Sequence, residues 1–342
     1  KRLNNCSRQA MPPKWFRSNV MIIAKHVVAN VMKHGIKHYS IGQASQFVLV
    51  TLVTGTGIGL SVSLVASLFV AGLHLLTGHR HSMVMNLPIL QFAGGSLVPM
   101  LWLIAAAFLL WGVRSLFGIK LWHGPADSIF GAHRLDNEIE VKAGIGSTIA
   151  AFIAMGGGAS VGQYGPLVHF GATIGSHIRQ VFSNKMIGTD VFIGCGVAAA
   201  IAAGFHAPIA GIVFAHEAVL RHFSFRALTP IAISSITSVW FATAIFGGDP
   251  LFTLDAAATD LLQMVPILLA SGLLFGVIAM LFMLALFKSA AIAAKTGLPP
   301  LVLTLIAAVI CGGVAIFVPE ILGSGIAEIN VIFGGGYALG FL

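Results

Sequence analysis

Charged residues are what this sequence has least of. Asp, Glu, Lys and Arg make up 9% of its 342 residues, where a soluble domain carries about 25%. That scarcity excludes a water-solvated surface over most of the chain, and with it a soluble enzyme. Cysteine is scarce as well. Cys6, Cys195 and Cys311 are widely spaced and two lie in apolar stretches, so reduced structural thiols are expected rather than disulfides, and neither a metal nor a cofactor is expected. The net charge of +8 would suit nucleic acid, but most of the excess sits at one end, in Lys1, Arg2, Arg8, Lys14, Arg17, Lys25, Lys33 and Lys37. Membrane orientation accounts for it better, and no nucleic-acid partner is expected. No apolar segment lies near the start: the first begins near Phe47, too far in for a cleavable signal peptide. The sequence opens on Lys1 rather than Met, which fits a piece of a longer chain.

What is present is apolar: 57% of residues, with a mean hydropathy of +0.94. The apolar runs are long and continuous rather than alternating segments of about ten residues, so they predict helices and not a β-barrel. Spans are expected at 47–76, 87–117, 191–203, 208–220, 229–246, 261–287 and 301–318. The fold class is therefore all-α integral membrane, with polytopic helices. Its 40 glycines suit close helix packing and broken helices. Ahead of the first span lies the basic tail, 1–43, with room for an amphipathic helix at 15–31. Alternating the spans puts every Lys and Arg except Arg80 on one face. The positive-inside rule makes that face, and the N-terminal tail, cytoplasmic, with acidic membrane lipid as the tail's partner. An acidic loop with Asp249, Asp255 and Asp260 then faces outward.

One stretch breaks the pattern. Residues 143–178 hold no Asp, Glu, Lys or Arg, yet Gly156, Gly157, Gly158, Gly162, Gly165 and Pro166 sit in their middle. Glycine weakens a helix, and an interior proline costs about 3 kcal/mol, so two half-helices are expected to meet here. Pro166 belongs in the first turn of the second, where its missing N–H matters least. Free backbone N–H groups and the positive end of a helix dipole make an anion site. Irregular backbone at membrane depth is tolerated only where it is buried or lines a cavity, and broken helices are how transporters build binding sites.

Gly162-Gln163-Tyr164-Gly165-Pro166 resembles the Gly-x-Glu-Gly-Pro motif of the CLC family of chloride channels and chloride/proton antiporters. The run from Gly194 to Glu217, with Gly204-Phe205-His206-Ala207-Pro208-Ile209-Ala210-Gly211 at its centre, is similar to the family's next signature, Phe-Asn-Ala-Pro-(Leu/Ile)-Ala-Gly followed by an acidic residue. The resemblance implies a CLC-like inverted-repeat architecture: a first membrane repeat over 44–246 and the start of a second over 247–342. A weak internal echo agrees, Gly124-Pro125-Ala126-Asp127-Ser128-Ile129 against Gly325-Ile326-Ala327-Glu328-Ile329. The family's later elements, a Gly-x-Phe-x-Pro loop and a pore tyrosine, find no match, which favours truncation.

The resemblance implies an anion site at Gly162, Gln163, Tyr164, Gly165 and Pro166. Gly124, Pro125 and Ala126 join it on position alone, because the family's Gly-Ser-Gly-Ile-Pro has no serine in register here. Asp127 is read as a cap for a helix beginning at Ser128. Tyr164 occupies the position of the gating glutamate; a phenol, with an ordinary pKa of about 10, stays neutral but can donate a hydrogen bond, and plain packing is the alternative. Glu217 and Ala218 occupy the two inner acidic positions, so the usual inner proton acceptor is Ala218 here and Glu217 is read as structural. His169, His177, His206 and His216 show no metal spacing, and His206 is expected to hydrogen-bond backbone. The function implied is a CLC-type anion channel passing chloride down its gradient, a homodimer in a bacterial inner membrane, and not an enzyme. The alternatives are a chloride/proton antiporter with an atypical proton path, for example through a histidine, and a non-conducting structural or regulatory membrane subunit.

Overall fold

The computed structural model describes residues 41–86, 91–92, 95–134, 139–181, 187–247 and 261–333. The expected tail helix at 15–31, Lys185 and the acidic residues Asp249, Asp255 and Asp260 lie outside the described residues. The chain divides into two units, 1–50 and 51–342. Of the first, the described part is the opening of helix α1, and all packing below concerns the second.

The first helix, α1 (Ile41–Asn86), runs for 46 residues and overshoots the apolar stretch expected at 47–76. Its C-terminal end stays helical through polar residues, and the Thr77 hydroxyl there donates back to the Leu73 carbonyl at 2.9 Å. Helix α2 (Val98–Phe117) begins later than expected. Pro99 has no N–H to donate in a helix interior and sits in the first turn instead. Ahead of it, β1 (Gln91–Phe92) and β2 (Gly95–Ser96) form a two-residue antiparallel ribbon, the one departure from an all-helical fold among the described residues.

The rest are helices: α3 (Pro125–His133), α4 (Val141–Gly157), α5 (Tyr164–Val181), α6 (Thr189–Phe205), α7 (Pro208–Phe214), α8 (Phe225–Phe246), α9 (Leu261–Thr296), α10 (Pro300–Phe317) and α11 (Ile326–Phe333). A π-helical turn (Ala215–Leu220) prolongs α7. Among the described residues five helices are long and apolar enough to cross a bilayer, and α4, α6 and the α7 segment are shorter apolar pieces. Helix α9 is apolar on all sides and none of its membrane-length window is buried, the surface of a helix solvated by lipid or by another protein.

Helix α6 is the axis of the fold, and residues 191–203 are buried without exception. Its Gly and Ala residues leave no side-chain bulk, so neighbouring backbones close onto it. A Cβ on Gly171 or Gly175 of α5 would strike the carbonyl of Gly196 or Phe192, and a Cβ on Gly196 would strike the Gly171 carbonyl. On the other flank α8 fastens itself by hydroxyls: Ser234 donates to the Cys195 carbonyl at 3.0 Å and Ser238 to the Ala199 carbonyl at 2.7 Å. Ser63 of α1 donates in turn to the Ser238 carbonyl at 2.6 Å. With no hydrophobic drive between helices in lipid, small residues and interhelical hydrogen bonds are what remain to hold them. Ala66, Phe69, Leu73, Ala151, Met155, Leu167, Ala203 and Ala242 close one core cluster around this axis.

Gly196→Ala should destabilise the fold by about 1–3 kcal/mol, because the collision is with backbone and cannot be relieved by a rotamer. Gly57→Ala, where a Cβ meets nothing within 4 Å, should be neutral or stabilising by about 0.4–1 kcal/mol. Thermal unfolding of both variants in detergent checks the pair.

Candidate functional site

The break in the central stretch is where the glycines and Pro166 put it. Helix α4 stops at Gly158, whose φ of 109° only glycine adopts freely. Gly162, at φ 74°, turns the chain again, and α5 begins at Tyr164 with Pro166 inside its first turn. The first N–H groups of such a helix have no partner within it. A Cβ on Gly165 would lie 3.6 Å from Cδ and Cγ of Pro125, so the first turn of α3 lies against the first turn of α5. The two motif stretches, distant in sequence, thus present two helix N-termini side by side. Each carries roughly half a positive charge from its aligned peptide dipoles. That arrangement can hold a small anion without any cationic side chain.

Asp127 sits inside this field and offsets part of it at the α3 start. Helix α3 starts at Pro125, not at Ser128 as expected, so Asp127 falls at the third helical position. Its Oδ2 accepts the Gly124 N–H at 2.8 Å, folding the carboxylate back over the helix start in half of a capping box. Glu328 occupies the same third position in α11, which starts at Ile326. The faint sequence echo therefore corresponds to two helix starts of one kind.

Tyr164 packs and borders a cavity at once. Its ring stacks on Phe205 with centroids 3.8 Å apart and covers Gly204, where a Cβ would sit 2.7 Å from it. Gln163, Tyr164, Gly204 and His206 line a cavity of about 1030 Å³, with Arg80 and His74 of α1 and Glu328 of α11 on other sides. His206 caps α6 at φ 52°, the left-handed region that Asn and His enter more readily than most residues. That conformation accounts for a His in the place of the family's Asn without the backbone hydrogen bond expected of it.

Glu217 and Ala218 lie elsewhere. Both fall on the π-helical turn, and Glu217 lines a second cavity of about 430 Å³ with His216, Arg221, His222 and Phe223. The two cavities share no lining residue. A π turn shifts every following side chain around the helix, and such turns concentrate at functional sites.

A cluster unseen in the sequence joins α3 to α5. His169, 1% exposed, shares a 2.9 Å hydrogen bond between its Nδ1 and Ser128 Oγ. Its ring stacks on that of His123 at 5.7 Å, and His123 Nδ1 lies 3.6 Å from Asp127 Oδ1. His169 Nε2 is buried with no partner, while His123 is part-exposed. His206 and His216 belong to the two separate cavities, so the four histidines considered together in the sequence do not form one set. The available signal was Ser128 and His123 flanking the very helix start that meets α5.

Polytopic helices broken so that N-termini lie side by side within the membrane are the arrangement in which transport proteins build ion sites. The chain belongs to the CLC family: the family model described as voltage gated chloride channel matches residues 119–342. It is 26% identical over 232 residues to a putative chloride channel protein ClcB-like of Ralstonia nicotianae, covering 66% of this chain and 54% of that protein. It is 27% identical over 308 residues to the H(+)/Cl(-) exchange transporter ClcA of Vibrio cholerae serotype O1, covering 83% of this chain and 62% of that one. The chain thus spans between about half and two thirds of the length of these relatives. Its fold matches the crystal structure of a slow cyanobacterial Cl−/H+ antiporter, with a TM-score of 0.72 at 20% identity over 85% of this chain and 69% of that one. A CLC-type fluoride/proton antiporter matches with a TM-score of 0.66 at 22% identity, over 89% and 73%.

The position of Tyr164 generates a test. A carboxylate about 4 Å from a bound anion opposes it by roughly 4 kcal/mol at an effective dielectric of 20. Tyr164→Glu should therefore suppress halide efflux from liposomes at neutral pH and release it on acidification. Wild-type efflux from the variant at every pH would show that the residue does not face the anion.

Proposed function

We propose that the protein carries chloride across a bacterial inner membrane in exchange for protons, with its N-terminus cytoplasmic and its proton path moved from carboxylates to imidazole. The observation that carries this reading is the His123–His169 pair. Its inner member is buried with an unpartnered Nε2, and its outer member is part-exposed beside Asp127. The anion site proposed is the gap between the first turns of α3 and α5, bounded by Gly124, Pro125 and Ala126 and by Gly162 to Pro166, with Tyr164 as its gate toward the larger cavity. His169 follows Tyr164 by five residues on α5, about 7.5 Å along the axis.

A proton taken up at His123 passes to His169 through a bridging water, because the stacked rings share no hydrogen bond. It leaves from Nε2 toward the anion path. The Ser128 hydroxyl holds the His169 ring and exchanges donor and acceptor roles as the ring changes tautomer. A relay of this kind needs neither a glutamate at position 164 nor an inner acceptor at Ala218. Relatives described as H(+)/Cl(-) exchange transporters support the exchange reading. The absence of both usual carboxylates, at Tyr164 and Ala218, supports a passive channel as the second reading.

A homodimer is part of the proposal. The resemblance assigns the subunit interface to helices corresponding to α7 and α8, and these expose Ile209, Val213, Ile236, Trp240 and Ile245, an apolar surface suited to a second copy.

Proteoliposomes under an outward chloride gradient and no proton gradient separate the readings. Wild-type protein should drive protons uphill, and His169→Gln should keep chloride movement while proton movement falls at least tenfold. Chloride movement without proton movement in the wild type would establish the passive channel instead.

A further inference from the structure

Arg80 stands apart in both the sequence and the structure. It is the Lys or Arg that alternation of the spans leaves on the outward face, against all the others. Basic residues are common on the cytoplasmic side of a membrane protein, so a single outward one has no orientational role. The structure sets it in the last turns of α1, on the wall of the 1030 Å³ cavity that Tyr164 and Gln163 border. Its guanidinium is packed over Gly158, where any side chain would collide with Nη1, and that nitrogen is buried without a hydrogen-bond partner. Among the described residues Arg80 makes no ion pair. Glu328 lines the same cavity without pairing with it. The guanidinium is thus held in place by packing while no group among the described residues neutralises it.

A half-buried cation with no counter-charge is costly unless an anion meets it. The open side of this one is the cavity that leads to Tyr164. The polar groups near it there, the Thr77 hydroxyl and His74 on the same helix and Ser324 opposite, can share the solvation of a small inorganic anion. We propose that Arg80 makes the outer cavity a recruiting site for small inorganic anions, distinct from the gap between the N-termini of α3 and α5. It supplies the positive charge that neutral Gln163 and Tyr164 do not. Gly158 is a positioning residue for it, because its lack of a side chain lets the guanidinium seat against the backbone.

This inference rests on chloride reaching the cavity but not on proton coupling, and it can be tested on both levels. In liposomes of uniform orientation, Arg80→Gln should raise the outer chloride concentration for half-maximal flux about three- to tenfold and leave the inner one unchanged. Arg80→Lys should keep most of the wild-type affinity. The wild-type advantage should shrink as ionic strength rises with an impermeant salt. Independently of transport, the detergent-solubilised wild type should gain more thermal stability from thiocyanate than Arg80→Gln does. Equal outer half-saturation in wild type and Arg80→Gln overturns the site if the thiocyanate response is also equal. Loss of flux from both faces together means Arg80 is structural only, and overturns it too. If the wild type moves no chloride at all, the transport reading fails, and the thiocyanate comparison alone decides for or against the anion site.

Discussion

A helix that begins inside a bilayer leaves its first N–H groups without water to bond, and the arrangement of this protein follows from that one constraint. Helix α5 begins at Tyr164 in the middle of an uncharged stretch. In hydrocarbon each unsatisfied group costs several kcal/mol, so the start of α5 must be shielded and must face something that accepts hydrogen bonds. Shielding comes from close approach: α3 abuts it through Pro125 and Gly165, α6 meets Tyr164 at Gly204 and Phe205, and further along α6 presses on α5 through Gly171, Gly175 and Gly196. The acceptor that suits such a start is an anion. The glycines matter for the proposed site as well as for the fold, since close approach at them is what brings two helix starts together.

The same constraint explains how acidic residues are handled near the site. Asp127 folds back on the N–H of Gly124, so that its charge stabilises its own helix. Glu217 is exposed on a π-helical turn in a different cavity. Of the acidic residues considered for the site, Asp127 is bonded to its own helix start and Glu217 lies away from both starts, and Tyr164 stands at the gate position. Two imidazoles, His123 and His169, also stack where α3 meets α5. The exchange mechanism proposed above runs on them, and in it the route of the proton is the main departure from the motif this chain resembles.

The helix break was legible because glycine and proline act locally: Gly158, Gly162 and Pro166 ended one helix and started the next where their backbone preferences predict. The membrane class was legible from composition alone. Element ends were not. Helix α1 runs beyond its apolar core because polar residues can continue a helix at the membrane surface, and α2 starts late because Pro99 demands a first-turn position. The direction of Asp127 depended on whether α3 starts at Pro125 or at Ser128, a shift of less than one turn that turns the carboxylate from the N–H groups after it to the one before it. The His123–His169 pair was hidden for a different reason. No periodicity links residues on separate helices, and only the approach of α3 to α5 brings them together. Arg80 was visible as an exception to the charge pattern, but its seat over Gly158 is a tertiary contact.

The central claim is that the first turns of α3 and α5 together hold an anion. Crystals of the protein grown in bromide test it by anomalous diffraction. The arrangement predicts a bromide peak in contact with the backbone N–H groups of Tyr164 or Gly165 and beside Pro125. Strong bromide peaks elsewhere, with that gap empty, would contradict it.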